Sequence, residues 1–241
     1  AARFPHFAGS DEYQNYAFPL PYFVYRGEVL KADRDGVRGI FWQTNKFEMD
    51  ISMSGNPPTD DNKARKGMDD LDGIGEIGPA MNYYFYEYGE RDSFFFQATV
   101  RAAFSFDFDD GFAVGHEGYV SDLTLTYKNS QLFKEEKIRF HLSTGVRFGD
   151  AEMHRYFYEV SAADVIPGRE YYQAEGGYGG AQLSGSITKE LTPSLAVSCY
   201  GRWVNIEGAV FQDSPLVDTN NNYFVGAMLA WKVGESESRE P

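Results

Sequence analysis

Apolar and polar residues alternate with a period of two along much of this chain. In 138–148, Ile138, Phe140, Leu142, Thr144, Val146 and Phe148 fall on one face, and Arg139, His141, Ser143, Gly145 and Arg147 on the other. Successive side chains of a strand point to opposite faces, so this period predicts extended structure. It returns in Ala181, Leu183, Gly185 and Ile187 against Gln182, Ser184, Ser186 and Thr188, and in Leu195, Val197, Cys199 and Trp203 against Ser198, Tyr200 and Arg202. Phe94 to Phe104 and Phe47 to Met53 repeat it. Strands are predicted near 222–233, 192–206, 174–189, 136–148, 113–127, 92–106 and 74–87, with shorter ones near 45–53, 36–43, 28–33 and 17–26 and a stub at 1–7. The total is about twelve, or about ten if the short N-terminal strands merge.

A half-buried sheet in water also alternates, so strand length and punctuation carry the next step. Several runs reach the roughly 9–11 residues that a tilted membrane strand needs, where strands of globular proteins average about 5–6. Aromatic residues gather at Tyr83–Tyr88, Phe104–Phe108, Tyr156–Tyr158 and Tyr171–Tyr172, in the manner of the two interfacial girdles of membrane barrels. The expected fold is therefore all-β, a transmembrane antiparallel β-barrel with its apolar face outward. Residues 1–233 form one barrel domain and 234–241 a polar tail. If the last strand descends to the periplasm, connectors 26–28, 44–46, 88–91, 128–135 and 189–193 lie inside, and 54–73, 107–111, 150–173 and 208–221 lie outside. Short turns inside and long loops outside is the asymmetry such barrels show.

Composition narrows the alternatives. The net charge of −14 and a pI near 4.7 exclude a nucleic-acid partner, because phosphate neutralisation needs clustered Lys and Arg. Mean hydropathy is −0.46, and no apolar run approaches the roughly 18 residues of a membrane helix. The single cysteine, Cys199, cannot staple the fold and falls on the apolar face. The chain opens at Ala1 without Met or an apolar leader, so a secretory signal is expected to have been removed already.

Candidate chemistry is sparse. His6, His116, His141 and His154 and serines such as Ser10, Ser121, Ser143 and Ser161 are the raw material for a hydrolase. His141 and Ser143 share a face two residues apart, which by strand rise separates their backbones by almost 7 Å, loose for a nucleophile and its base. The acidic stretch holding Asp60, Asp61, Asp69, Asp70 and Asp72 also contains Lys63, Arg65 and Lys66 and lacks calcium-loop spacing, so it reads as a solvated loop. The glycine pairs 176–177 and 179–180 fit relief of crowding or barrel curvature better than a phosphate loop. No catalytic set, metal site or cofactor is expected. The inward face collects Glu48, Asp50, Glu76, Asp122, Arg101, Arg139, Arg147, Arg202 and His141. With both signs present in similar number, it reads as a lumen cross-braced by ion pairs, with a small selective pore as the alternative.

Several stretches resemble the MipA/OmpV family of outer-membrane proteins. They are the opening Phe4-Pro5-His6-Phe7-Ala8-Gly9-Ser10-Asp11-Glu12, then Phe18-Pro19-Leu20-Pro21-Tyr22, Tyr25-Arg26-Gly27, Ala32-Asp33-Arg34-Asp35-Gly36, Ile77-Gly78-Pro79, Tyr156-Phe157-Tyr158-Glu159-Val160-Ser161 and Asp213-Ser214-Pro215-Leu216-Val217. The resemblance spans almost the whole chain. It implies the outer membrane of a bacterial cell, with lipid and lipopolysaccharide as neighbours. It also implies a non-enzymatic scaffold that holds periplasmic peptidoglycan enzymes, such as a lytic transglycosylase and a peptidoglycan synthase. A narrow channel for small solutes and a surface adhesin stay open beside it. If a partner docks on the periplasmic side, Leu132 and Phe133 are the candidate anchors, being apolar residues within the 128–135 connector. Their other reading is that they dip into interfacial lipid.

Overall fold

A computed structural model describes residues 1–17, 25–26, 30–33, 36–39, 41–85, 92–107, 112–133 and 137–231, with the backbone alone entering for 25–39 and 130–133. The described elements are β1 Ala2–Pro5, β2 Tyr13–Tyr16, β3 Tyr25–Arg26, β4 Leu30–Asp33, β5 Gly36–Gly39, β6 Trp42–Gln43, β7 Phe47–Asn56, β8 Gly73–Tyr84, β9 Asp92–Asp107, β10 Ala113–Phe133, β11 Ile138–Gly149, α1 Ala151–Tyr158, β12 Gly177–Thr192, β13 Leu195–Asn205 and β14 Asn221–Trp231. Eleven strands form one antiparallel sheet in the order β2-β1-β14-β13-β12-β11-β10-β9-β8-β7-β6, and β3-β4-β5 form a second. From β6 to β14 each strand pairs with its neighbour in sequence. The exception is β1, which pairs with β14 through Ala2↔Gly226 and Arg3↔Val225 and so joins the first described strand to the last.

Burial along these strands is inverted relative to a protein packed against water. The apolar face is the exposed one: Met53 retains 64% of its accessible surface and Leu229 67%, and Val100, Ile187 and Val225 are similarly bare. The polar face is the buried one, with Arg101 at 5% and Asp122 at 6%. The alternation read from the sequence thus holds in register, and Cys199 lies exposed on the apolar side. Aromatic rings mark both ends of that side. Trp42, Phe47, Tyr83, Phe85 and Phe94 form a chain of ring contacts with centroids 4.8–6.4 Å apart at one end. Phe148 meets Tyr178 at the other, where Trp203 pairs with Tyr223.

The connectors are as unequal as expected. Segments 6–12, 57–72, 150–176 and 206–220 all open from one end of the sheet, whereas 44–46 and 193–194 are short turns at the other. The connectors expected at 27–28, 88–91, 108–111 and 134–135 and the tail 234–241 lie outside the described residues.

Among the described residues eleven strands form the main sheet and three the second, beside the expected twelve or ten, with β3, β4 and β5 adjoining undescribed residues. Two expectations need correction. Tyr156–Tyr158 belong to a helix, not a girdle, and Tyr172 sits in a bridge with Val160 within the same loop. The connector expected at 128–135 is largely strand, since β10 continues to Phe133 with an irregularity between Asn129 and Phe133. The glycines near 180 do relieve crowding: Gly180 has φ +123°, and a Cβ there would stand 2.8 Å from the Asn205 carbonyl oxygen.

Candidate functional site

Four of the expected lumenal charges come together on neighbouring strands. Arg101 on β9 donates through Nε to Glu76 Oε2 of β8 at 3.0 Å and pairs through Nη2 with Asp122 of β10. Arg147 on β11 pairs with Glu76 and reaches Asp122 Oδ2 at 3.5 Å. Thr99 and Ser52 hydroxyls accept from Arg101 Nη1 at 2.9 and 3.1 Å. The cations and carboxylates alternate, which is how charges withdrawn from water are kept neutral. Adjacent strands are about 4.8 Å apart, so on a flat sheet Glu76 and Arg147 would start roughly 14 Å apart with parallel side chains. Their contact requires the sheet to curl toward this face.

The other members are placed differently. Glu48 and Asp50 are buried one step along the same face, where Asn82 Nδ2 donates to both, at 3.4 and 3.2 Å, and Tyr84 donates to Glu48 at 3.4 Å. Gln97 in turn donates to Asn82 at 2.8 Å, so this is an amide-braced pair. Arg139 finds Glu190 of β12 at 2.9 Å, a carboxylate that sequence reasoning did not include. Arg202 stands apart from the ion pairs: it donates to the Tyr200 hydroxyl at 2.6 Å and lies over the Tyr200 and Phe224 rings. His141 is opposite Lys128 and Ser186 in the sheet, and Ser143 accepts from Thr126 at 3.1 Å. Leu132 and Phe133 fall at the end of β10, and their side chains lie outside the described residues.

The assembly that sequence reasoning missed covers the concave face at the long-loop end. Asp150 caps α1, its Oδ1 accepting from Met153 N at 2.9 Å while its Oδ2 accepts from Tyr119 N of β10 at 2.9 Å. Met153 and Phe157, spaced one helical turn apart, enter a core with the inward residues Ile74, Ala103 and Val120. Tyr158 stacks on Phe211 from the 206–220 segment, with centroids 3.7 Å apart, and donates to Ala8 O of the β1–β2 turn at 2.7 Å. Burial pushes the Tyr156 and Tyr158 hydroxyls well above the usual phenol range, so both remain donors. The signal was present, in an acidic cap, an acidic first turn at Glu152 and apolar residues four apart. The run of three aromatics masked it.

Loops from distant parts of the chain are fastened here. The buried Arg169 guanidinium donates to Asp164 O at 2.8 and 3.0 Å and to Ala64 O and Lys66 O at 2.9 and 3.0 Å, joining 150–176 to 57–72. The β1–β2 turn joins the same 57–72 loop. Thr59 donates to His6 O at 3.1 Å, Asn62 to Ser10 Oγ at 3.1 Å, and Lys63 sits 2.9 Å from Glu12. The Lys63 backbone N–H and ammonium together hold the Glu12 carboxyl below its ordinary range. Asn222 of β14, fully buried, accepts from Gly9 N and donates to Ser10 O, both at 2.7 Å. The acidic stretch 60–72 is thereby fastened to the cap through Thr59, Asn62 and its backbone, while Asp60, Asp61, Asp69 and Asp70 stay exposed to solvent.

Comparison with curated proteins gives no match. The family model described as MltA-interacting protein MipA matches residues 1–233. That match covers every described strand and each stretch on which the resemblance rested. The chain belongs to the MltA-interacting protein MipA family.

Proposed function

We propose that residues 1–233 form a closed outer-membrane β-barrel, capped at its outer mouth, that serves as a non-enzymatic scaffold for a periplasmic lytic transglycosylase. The observation that carries the membrane reading is the inverted burial, with bare Met53, Val100 and Leu229 outside and a neutralised charge cluster inside. An apolar face of this extent is costly in water and favourable in lipid. Closure is supported by the β1–β14 pairing and by the fastening of the β1–β2 turn to the β7–β8 loop, which draws the two edges of the sheet toward each other. The scaffold role is supported by the family's description as MltA-interacting. The cap of α1 and its loops favours this role over that of an open porin. Dispersal of the four histidines supports a non-enzymatic reading: His6 meets Asn62, His116 packs between Phe104 and Tyr119, His141 lies in the sheet and His154 in the cap.

Partner capture falls to the short-turn end, where β10 extends past Asn129 and carries Leu132 and Phe133 in its sequence. Pull-down from solubilised envelopes with the whole chain as bait should recover a lytic transglycosylase. Replacing Leu132 and Phe133 with Ser should abolish that recovery. Recovery that survives the change and is lost when 150–176 is trimmed would reverse the proposed orientation.

A further inference from the structure

His154 occupies the point at which α1 meets the strands beneath it. Its Nδ1–H donates to Glu175 O at 2.7 Å, and its ring stands edge-on to Phe211 at 4.8 Å. A Cβ on Gly149 would be 2.5 Å from His154 Nε2, and one on Gly179 would be 3.4 Å away. The ring is therefore seated against the last residue of β11 and the start of β12, and only glycine at 149 leaves room for it. With Nδ1 donating to a carbonyl, the neutral ring carries no proton on Nε2. A second proton would bring a charge to that nitrogen, over backbone and beside aromatic rings.

The groups around it decide the sign. Burial disfavours a cation, the Glu175 carbonyl that accepts from Nδ1 favours one, Arg147 of β11 opposes it and Asp150 at the helix N-cap favours it; burial together with Arg147 prevails and holds His154 below its ordinary range. β10 meets the helix with Val120, and its Asp122 is already engaged by two arginines. From the 57–72 loop, Arg65 donates to Phe157 O at 3.3 Å. The 206–220 segment contributes the uncharged Phe211, and α1 itself the protonated Tyr158.

We propose that α1 and the 206–220 segment form an acid-released stopper in the long-loop mouth, seated while His154 is neutral and unseated when it takes a proton. A histidine disfavoured as a cation in the seated state leaves that state intact above its ordinary pKa of about 6.5 and weakens it as pH falls below that value. The stopper rests on the barrel reading, since only a closed lumen can be stopped.

The test uses the whole chain in detergent micelles and in planar bilayers. Amide exchange of 151–158, corrected for the intrinsic effect of pH, should show protection falling roughly tenfold between about pH 7.5 and about pH 5. Conductance steps should appear over the same interval. His154→Gln, which cannot be protonated, should keep both readouts flat. Gly149→Ala should lower protection already at about pH 7.5, because its methyl displaces the ring. Equal protection of the unmodified protein at both pH values overturns the proposal without recourse to any variant, as does loss of protection without conductance. Heat-modifiability on gels, measured in parallel, separates this from failure of the barrel reading: a chain that keeps it and shows no pH response sinks the stopper alone.

Discussion

Arg101 and Arg202 both point inward from the sheet, yet their removal should have unequal consequences. Arg101 neutralises two carboxylates that are themselves buried, Glu76 and Asp122. Arg101→Met would leave that charge withdrawn from water with one cation fewer, a defect that typically costs about 3–5 kcal/mol. Arg202→Met gives up one hydrogen bond and stacking on two rings, about 1–2 kcal/mol. Urea unfolding in lipid vesicles should show a far larger drop in midpoint for Arg101→Met, and comparable drops would mean that the charge cluster is not a brace. The sequence put both arginines on the inner face because period two reports the face. It does not report which strand will lie opposite, and the Arg147–Glu76 contact spans three strand intervals. Face was legible there and partnership was not.

At the scale of elements, α1 depends on a cap that does two jobs. Asp150 satisfies the helix through Met153 N and ties it to β10 through Tyr119 N. Asp150→Ala should cost about 1–2 kcal/mol, read as faster amide exchange confined to 151–158 and Tyr119, with the rest of β9 to β11 unchanged. Slowing or spreading of the change through the sheet would contradict a local role. Acid should act on the cap a second time. Glu12 is held below its ordinary range, so its tie to Lys63 is at full strength above the unfolded value and lost as pH falls below about 4. The β1–β2 turn should therefore loosen in a lower pH window than the helix, as exchange of 6–12 followed across pH would show. The long strands were readable because each carries a sustained alternation, as in 138–148. The short N-terminal strands β1 and β3 to β6 also fall where strands were expected, whereas β2 and α1 were not foreseen, since four residues hold too few periods. An aromatic run looks the same to a pattern whether it meets lipid or a loop core.

At the scale of the molecule, the proposed closure would leave the sheet no edge from which to unravel. The unheated protein in detergent should migrate faster on gels than the boiled one and should partition with outer membranes. Recovery in the detergent-free soluble fraction with identical mobilities would remove the membrane reading altogether. The pairing of β1 with β14 bears also on how the chain reaches this state. Ala2 and Gly226 are partners across almost the full length of the sequence, and contacts of such separation form slowly, because the loop entropy between them is spent before the contact repays it. Until that seam zips, β14 presents a bare row of amides and carbonyls, the very feature that invites pairing between chains. β1 is thus needed last. The interval before it arrives is when an assembly partner, or a second misfolding copy, has its opportunity.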